Sequence, residues 1–324
     1  KVAVDYQDFE NEAQEYAHMT ADNALAEWAD LDLSQINLEV MDFGPELDID
    51  MLGIEDFVVE PIEKYDTPIG DEDEVPEVKD PITKRGDVWL LGDHRVMCGD
   101  STIIDDVEKL MAGEKADMVF TDPPYGYKYE SNYQDKHKML TNDDKILDFI
   151  PIAYQYTHKD ASIYICTSHQ VVEKWKPLIT GFDYKNMIIW KKNNWSMGDL
   201  KGSFAGQHEI ILFATKGKIN IIGKRDSDVW SFNRQAPELH PTMKPVELIE
   251  YAMSKWSSGK VLDLFLGSGS TLIACQKTNR KCFGMELDEH YCDVIVNRWQ
   301  NYTGKKAVLE SNGKTYDELK EVNV

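Results

Sequence analysis

The stretch VLDLFLGSGSTLIA, Val261 to Ala274, constrains the fold of this chain more than any other. It reads as a buried strand, a Gly-x-Gly turn and a helix in direct succession. Gly267 and Gly269 let the backbone pass close under a ligand, and the helix that follows aims its first N–H groups at a negative group such as a carboxylate. About 20 residues beyond the turn, at the spacing known for nucleotide folds, Glu286 ends the next apolar run, KCFGMELD. An acid there can accept from both hydroxyls of a ribose. A third glycine at dinucleotide spacing and a Walker lysine are both missing, which argues against NAD and ATP. The pattern calls for a cofactor of the adenosine type.

The same logic organises the chain from Gly86 onward. DVWLLGDHRVMCGD, Asp87 to Asp100, reads as a hairpin turning near Gly92-Asp93, and IIDDVEKLM, Ile103 to Met111, as a short helix. Strands are expected at Ala116–Phe120, Ser162–Ser168, Lys185–Lys192, His208–Gly217, from Gly259 and from Lys281, with a helix over Thr271–Thr278. Alternation of this kind predicts one doubly wound α/β sheet.

Where the Ala116–Phe120 strand ends, TDPPYGY begins. Ligands of open α/β sheets bind beyond the carboxyl ends of strands. Pro123 and Pro124 remove two backbone donors and stiffen the turn, which presents the Asp122 carboxylate, free carbonyls and the Tyr125 ring. Two acceptors beside a flat aromatic suit a planar ring carrying an exocyclic NH2. An Asp-Pro-Pro turn that merely ends a strand is the competing reading.

The net charge of −23 sits at one end. Residues 1–80 hold 25 acidic and 3 basic residues, whereas 81–324 hold 33 and 32. The larger part is nearly neutral, so an anionic partner is compatible with it. Residues 1–60 read as helical, with Ala13, Tyr16, Ala17, Leu25 and Trp28 at helical spacing and a second segment over Ser34–Phe43. Residues 61–85, rich in Pro, Asp and Glu, read as an acidic linker. No run approaches the ~20 apolar residues of a membrane helix. Five scattered cysteines without a CxxC pair argue against zinc and for reduced thiols in the cytoplasm.

Taken together, residues 86–309 resemble the S-adenosylmethionine-dependent DNA methyltransferases that modify an exocyclic amine. DPPY resembles their catalytic motif and DLFLGSGST their cofactor motif, with Leu264 where a proline is usual. HPTMKPVELIE, His240 to Glu250, resembles the segment before the cofactor motif, and QHEIILFATKG the strand after the catalytic half. The catalytic motif comes first, which is the permuted order of the beta group. The resemblance implies a circularly permuted, mostly parallel, seven-stranded Rossmann-like sheet. It implies that Asp122, Pro123, Pro124 and Tyr125 act on a base flipped out of double-stranded DNA. It further implies that Asp100, Thr242, Lys244, Asp263, Phe265, Gly267, Ser268, Gly269, Thr271 and Glu286 hold S-adenosylmethionine. Asp100 would follow the Glu286 strand in space and accept from the adenine amine; Thr242 and Lys244 would hold the methionine end. The Asp of DPPY favours adenine N6 over cytosine N4. His208 and Glu209 read as structural.

Two loops, Lys128–Asp144 and Lys191–Gly206, mix basic and aromatic residues suited to DNA. The recognition region between Lys216 and Pro237 is short, which implies a short site, a homodimer or a partner subunit. ADNALAEWADLD and DIDMLGIEDF resemble the helical tail of a ParB-like N-terminal domain, and residues 310–324 read as a C-terminal tail.

Overall fold

The chain divides into two compact units, Lys1–Thr67 and Pro68–Val324. The computed structural model describes residues 70–126 (except 73, 77 and 79), 146–195, 202, 204–223, 226–233, 243–256 and 259–322. The helical and ParB-like expectations for residues 1–60, the Lys128–Asp144 loop and Thr242 lie outside the described residues.

The described strands are β1 (Val88–Leu91), β2 (His94–Cys98), β3 (Ala116–Thr121), β4 (Thr157–Thr167), β5 (Asp183–Lys191), β6 (His208–Lys216), β7 (Val229–Ser231), β8 (Lys260–Asp263), β9 (Lys281–Glu286) and β10 (Val308–Leu309). They form one sheet in the order β10-β1-β2-β9-β8-β3-β4-β6-β5-β7. Ten strands replace the seven expected. β2, β9, β8, β3 and β4 run parallel, β6 runs against them, and β5 against β6. The three additional strands are short and sit at the edges: β1 and β10 beyond β2, and β7 beyond β5.

Period-two alternation divides the core between the two faces of the sheet. Phe120, Tyr164, Cys166, Ile211 and Phe213 face one layer, which receives the helices α4 (Val246–Ser254), α5 (Ser270–Lys277) and α6 (Glu289–Thr303). Val119, Ile163, Ile165 and Leu212 face the other, which receives α1 (Ile104–Met111), α2 (Ile150–Gln155) and α3 (Val172–Trp175). Helices on both faces of a largely parallel sheet make the fold doubly wound.

Sheet order positions the site. β8 leads through α5 to β9 on one side, and its neighbour β3 leads to β4 on the other. The crossovers therefore part between β8 and β3, and the carboxyl ends of those strands flank a crevice. Asp122 follows β3 there, and the Gly-x-Gly turn follows β8.

Segments flanking residues 86–309 are fastened to α6. Buried Asp293 accepts from the Ile82 N–H (2.6 Å), the Thr83 N–H (3.1 Å) and hydroxyl, and the Tyr316 hydroxyl (3.0 Å). Tyr316 opens the last helix, α7 (Tyr316–Val322), and its ring meets Trp89 edge-on at 5.4 Å. Further up the acidic stretch, His290 Nε2 lies 2.6 Å from the Val78 carbonyl, and Glu72 pairs with Lys277 at 2.5 Å. Part of the stretch read from composition as a tether is thus strapped along α5 and α6, by contacts that composition does not reveal.

Candidate active site

Asp263, the last residue of β8, ties the two halves of the crevice together. Its Oδ1 accepts from the Thr121 hydroxyl at the end of β3 (2.9 Å) and from the Phe265 N–H (3.0 Å). Its Oδ2 accepts from the Thr271 hydroxyl on α5 (2.6 Å). Burial pushes this carboxyl up to about 6, against the pull of those three donors. Both oxygens thus tie β3, the Phe265 backbone and the Thr271 side chain of α5 together.

The turn between β8 and α5 carries Gly267 at φ +56° and Gly269 at φ +91°. A Cβ on Gly267 would meet nothing within 4 Å, so the space beside this backbone is open. Ser268 is buried, and its carbonyl accepts from Arg298 Nη1 (3.0 Å). The same guanidinium reaches the Glu72 carbonyl through Nη2 (2.6 Å). Arg298 of α6 thereby braces the turn from behind and joins it to the strap. Phe265 packs edge-on against Phe149 at 5.0 Å, on the rim of the crevice.

Glu286 ends β9 next to this turn. Its Oε2 accepts from the Gly267 N–H (2.8 Å) and its Oε1 from the N–H groups of Leu287 and Asp288 (2.9 and 3.0 Å). Burial nevertheless pushes the carboxyl up to about 7. β2 pairs in parallel with β9, Cys98 opposite Glu286, and Gly99 N–H donates to the Glu286 carbonyl (2.9 Å). Asp100 consequently lies beside the Glu286 strand, where the family resemblance implied it. Its Oδ1 closes a local turn by accepting from the Thr102 N–H and hydroxyl (2.9 and 2.6 Å).

On the β3 side, Pro123 is buried, and Asp122, Pro124 and Tyr125 are half-buried. Asp122 Oδ1 accepts from the Tyr125 hydroxyl (3.0 Å), and Oδ2 pairs with Lys244 Nζ (2.5 Å). Lys244, just before α4, also lies 3.2 Å from Glu209 Oε2, and Glu209 Oε1 pairs with Lys192. Two lysines and two carboxylates make a cluster that is formally neutral. Burial works against the Asp122 carboxylate and raises its pKa, with Lys244 pulling the other way. Burial likewise raises Glu209, but Lys244 and Lys192 together outweigh it and hold the group at about 2. Burial disfavours the Lys244 charge, yet Asp122 and Glu209 hold its pKa above the ordinary lysine value.

Lys244 therefore sits on Asp122. Glu209, read from the sequence as structural, and Lys192, read as a loop contact for DNA, belong to this cluster. Because β6 runs antiparallel to β4, its polar first residues, His208 and Glu209, fall at the end of the sheet where β3 and β4 finish, a placement the sequence alone does not give.

Residues 116–297 match a protein-family model for N6_N4 methyltransferases, described as DNA methylase. The type II methyltransferase M.SmaI of Serratia marcescens is 29% identical over 136 residues, covering 36% of this chain and 47% of that protein. The type II methyltransferase M.HinfI of Haemophilus influenzae is 25% identical over 238 residues, covering 60% of this chain and 66% of that protein. Among solved structures, the M1.HpyAVI–SAM complex superposes with a TM-score of 0.51 at 23% identity, over 63% of this chain and 98% of that one, a likeness of fold.

Proposed function

This chain belongs to the N6_N4 DNA methylase family, whose model spans more than half of it, and from that premise we propose that it methylates the exocyclic N6 amine of adenine in double-stranded DNA, with S-adenosylmethionine as donor. One observation carries the reading: the Thr121–Asp263 hydrogen bond fixes Asp122 and the Gly-x-Gly turn on either side of one crevice. The order of the motifs fits the permuted arrangement of the beta group.

The residues present fit the cofactor. The open space beside Gly267 leaves room for a ligand against the backbone, and an acid ends the neighbouring strand. Glu286 would take the ribose hydroxyls, Asp100 the adenine amine, and the first N–H groups of α5 the carboxylate end, with Gly267, Ser268 and Gly269 as floor and Phe265 as wall. When bound, S-adenosylmethionine supplies an electrophilic methyl group on a sulfonium.

The protein's own task is to make a poor nucleophile attack. The lone pair of an aromatic amine is conjugated to its ring. Asp122 and the Pro123 carbonyl accept the two N–H groups, draw nitrogen toward sp3 character and aim its lone pair along the transfer line. Tyr125 stacks on the base, offsetting part of the few kcal/mol that unstacking costs. An acidic first residue in the motif supports adenine over cytosine.

The test is transfer of labelled methyl groups to unmethylated genomic DNA, followed by nucleoside analysis, with Asp122→Ala as control. N6-methyladenine that disappears in the variant, with cofactor binding intact, is the expected result. Label on cytosine would replace the base and leave the mechanism. Cofactor binding without labelled DNA would refute DNA as the substrate of this chain alone. The acidic N-terminal unit is proposed to be the tail of a ParB-like domain.

A further inference from the structure

Both oxygens of Asp122 are already engaged. Lys244 Nζ holds Oδ2 at 2.5 Å and the Tyr125 hydroxyl holds Oδ1 at 3.0 Å. A target amine has to share an oxygen with one of these donors or displace it. Lys244 is only 8% exposed, and a buried ammonium left without a partner would be strongly penalised. The structure offers an alternative acceptor for both donors, and it is the same atom: Glu209 Oε2 lies 3.2 Å from Lys244 Nζ and 3.3 Å from the Tyr125 hydroxyl. The other oxygen of Glu209 is anchored by Lys192 at the end of β5, which keeps this carboxylate facing the cluster.

We propose that Glu209 is a positioning residue that receives Lys244 and Tyr125 when the base arrives, so that Lys244 is a stand-in for the substrate amine. In the ligand-free protein the ammonium fills the acceptor face of Asp122 and keeps that carboxylate paired. As the amine enters, Lys244 moves its hydrogen bond to Glu209 within the same pocket. No buried group is stranded, because the second acceptor is already in reach. The exchange moves hydrogen bonds only; no covalent bond forms or breaks. Glu209 stays ionised throughout, since both lysines stabilise its charge. This inference rests on the methyltransferase reading above.

The consequence is a sign that a merely structural carboxylate would not produce. Glu209→Gln retains an acceptor and loses the charge, so Lys244 is committed to Asp122 and competes with the base. Methyl transfer to unmethylated plasmid DNA should fall at least tenfold in kcat/KM, with the Kd for S-adenosylmethionine within threefold of wild type. Adding Lys244→Met removes the competitor, and the double variant should recover at least threefold over Glu209→Gln. Glu209→Asp, which keeps the charge, covers the case in which the Gln variant melts too low to assay; it should retain more than a third of wild-type kcat/KM. A Gln variant within threefold of wild type overturns the exchange. So does a double variant no better than the Gln variant, or an Asp variant as poor as Gln. Wild-type protein that labels no DNA overturns the reading of function and this inference with it, an outcome distinct from active wild type with an active Gln variant.

Discussion

Gly267→Ala separates the cost of the turn from its use. Gly267 sits at φ +56°, and a Cβ there meets no atom within 4 Å. In the ligand-free protein the substitution carries backbone strain and no clash. An L-residue in the left-handed region costs about 1–2 kcal/mol. For a unit of this size each kcal/mol moves Tm by about 2–4 °C, giving a drop of about 2–8 °C. The open space is the proposed path of S-adenosylmethionine, so the added methyl should overpack the bound state by about 1–3 kcal/mol. That corresponds to about a 5- to 150-fold loss of affinity. Gly113→Ala is the matched control. Gly113 has φ +84°, nothing within 4 Å of its Cβ, and a place in the loop after α1. It should lose a similar amount of Tm and no affinity. Differential scanning fluorimetry and calorimetric titration of the cofactor read the two quantities. Equal affinity in the two variants would show that the cofactor does not pass over this turn.

Three further outcomes follow from buried groups. Ribose hydroxyls are best accepted by ionised Glu286, whose pKa is raised to about 7, so cofactor affinity should rise about tenfold from pH 6 to pH 8; a pH-independent Kd, or the same slope in Glu286→Gln, would refute this. His94 is held down at about 4 by burial, its Nδ1 accepting from the Cys282 N–H at 3.0 Å. A folded pKa below the unfolded value means stability is present above about pH 6.5 and is lost as pH falls toward 4, by about 3 kcal/mol; urea unfolding of wild type against His94→Gln isolates that loss, and parallel pH curves would contradict it. Arg298→Met leaves the Ser268 and Glu72 carbonyls without their guanidinium donor and should cost about 2–4 kcal/mol in the same assay; a loss under 1 kcal/mol would mean the brace is replaceable.

The elements legible in the sequence were those whose own residues carry the signal. The β1–β2 hairpin turns at Gly92-Asp93 as its residues suggest, and the apolar runs that became β3, β6, β8 and β9 are strands within a residue or two of expectation. Edge strands β7 and β10 span three and two residues, too few for any periodicity to show. The cluster on Asp122 was illegible for another reason. Its members come from the ends of β3, β5 and β6 and the start of α4, and only the sheet order makes them neighbours. Asp263 shows the opposite case: its position was singled out from the motif, but its hydrogen bonds with Thr121 and Thr271 are ones that spacing alone does not assign.

The position of β2 in the sheet has a consequence for synthesis. The strand is made early, yet its parallel neighbour β9 lies far along the chain; His94 and Cys282, which meet across that pair, are 188 residues apart. At about 5–20 residues per second, a ribosome needs about 10–40 s to deliver that neighbour. Strand β3 likewise waits for β8, and until these neighbours arrive both β2 and β3 present unpaired edges to the cell. Assembly of the crevice therefore waits for β8 and β9, and nascent chains halted before residue 260 should be prone to aggregation and dependent on chaperones.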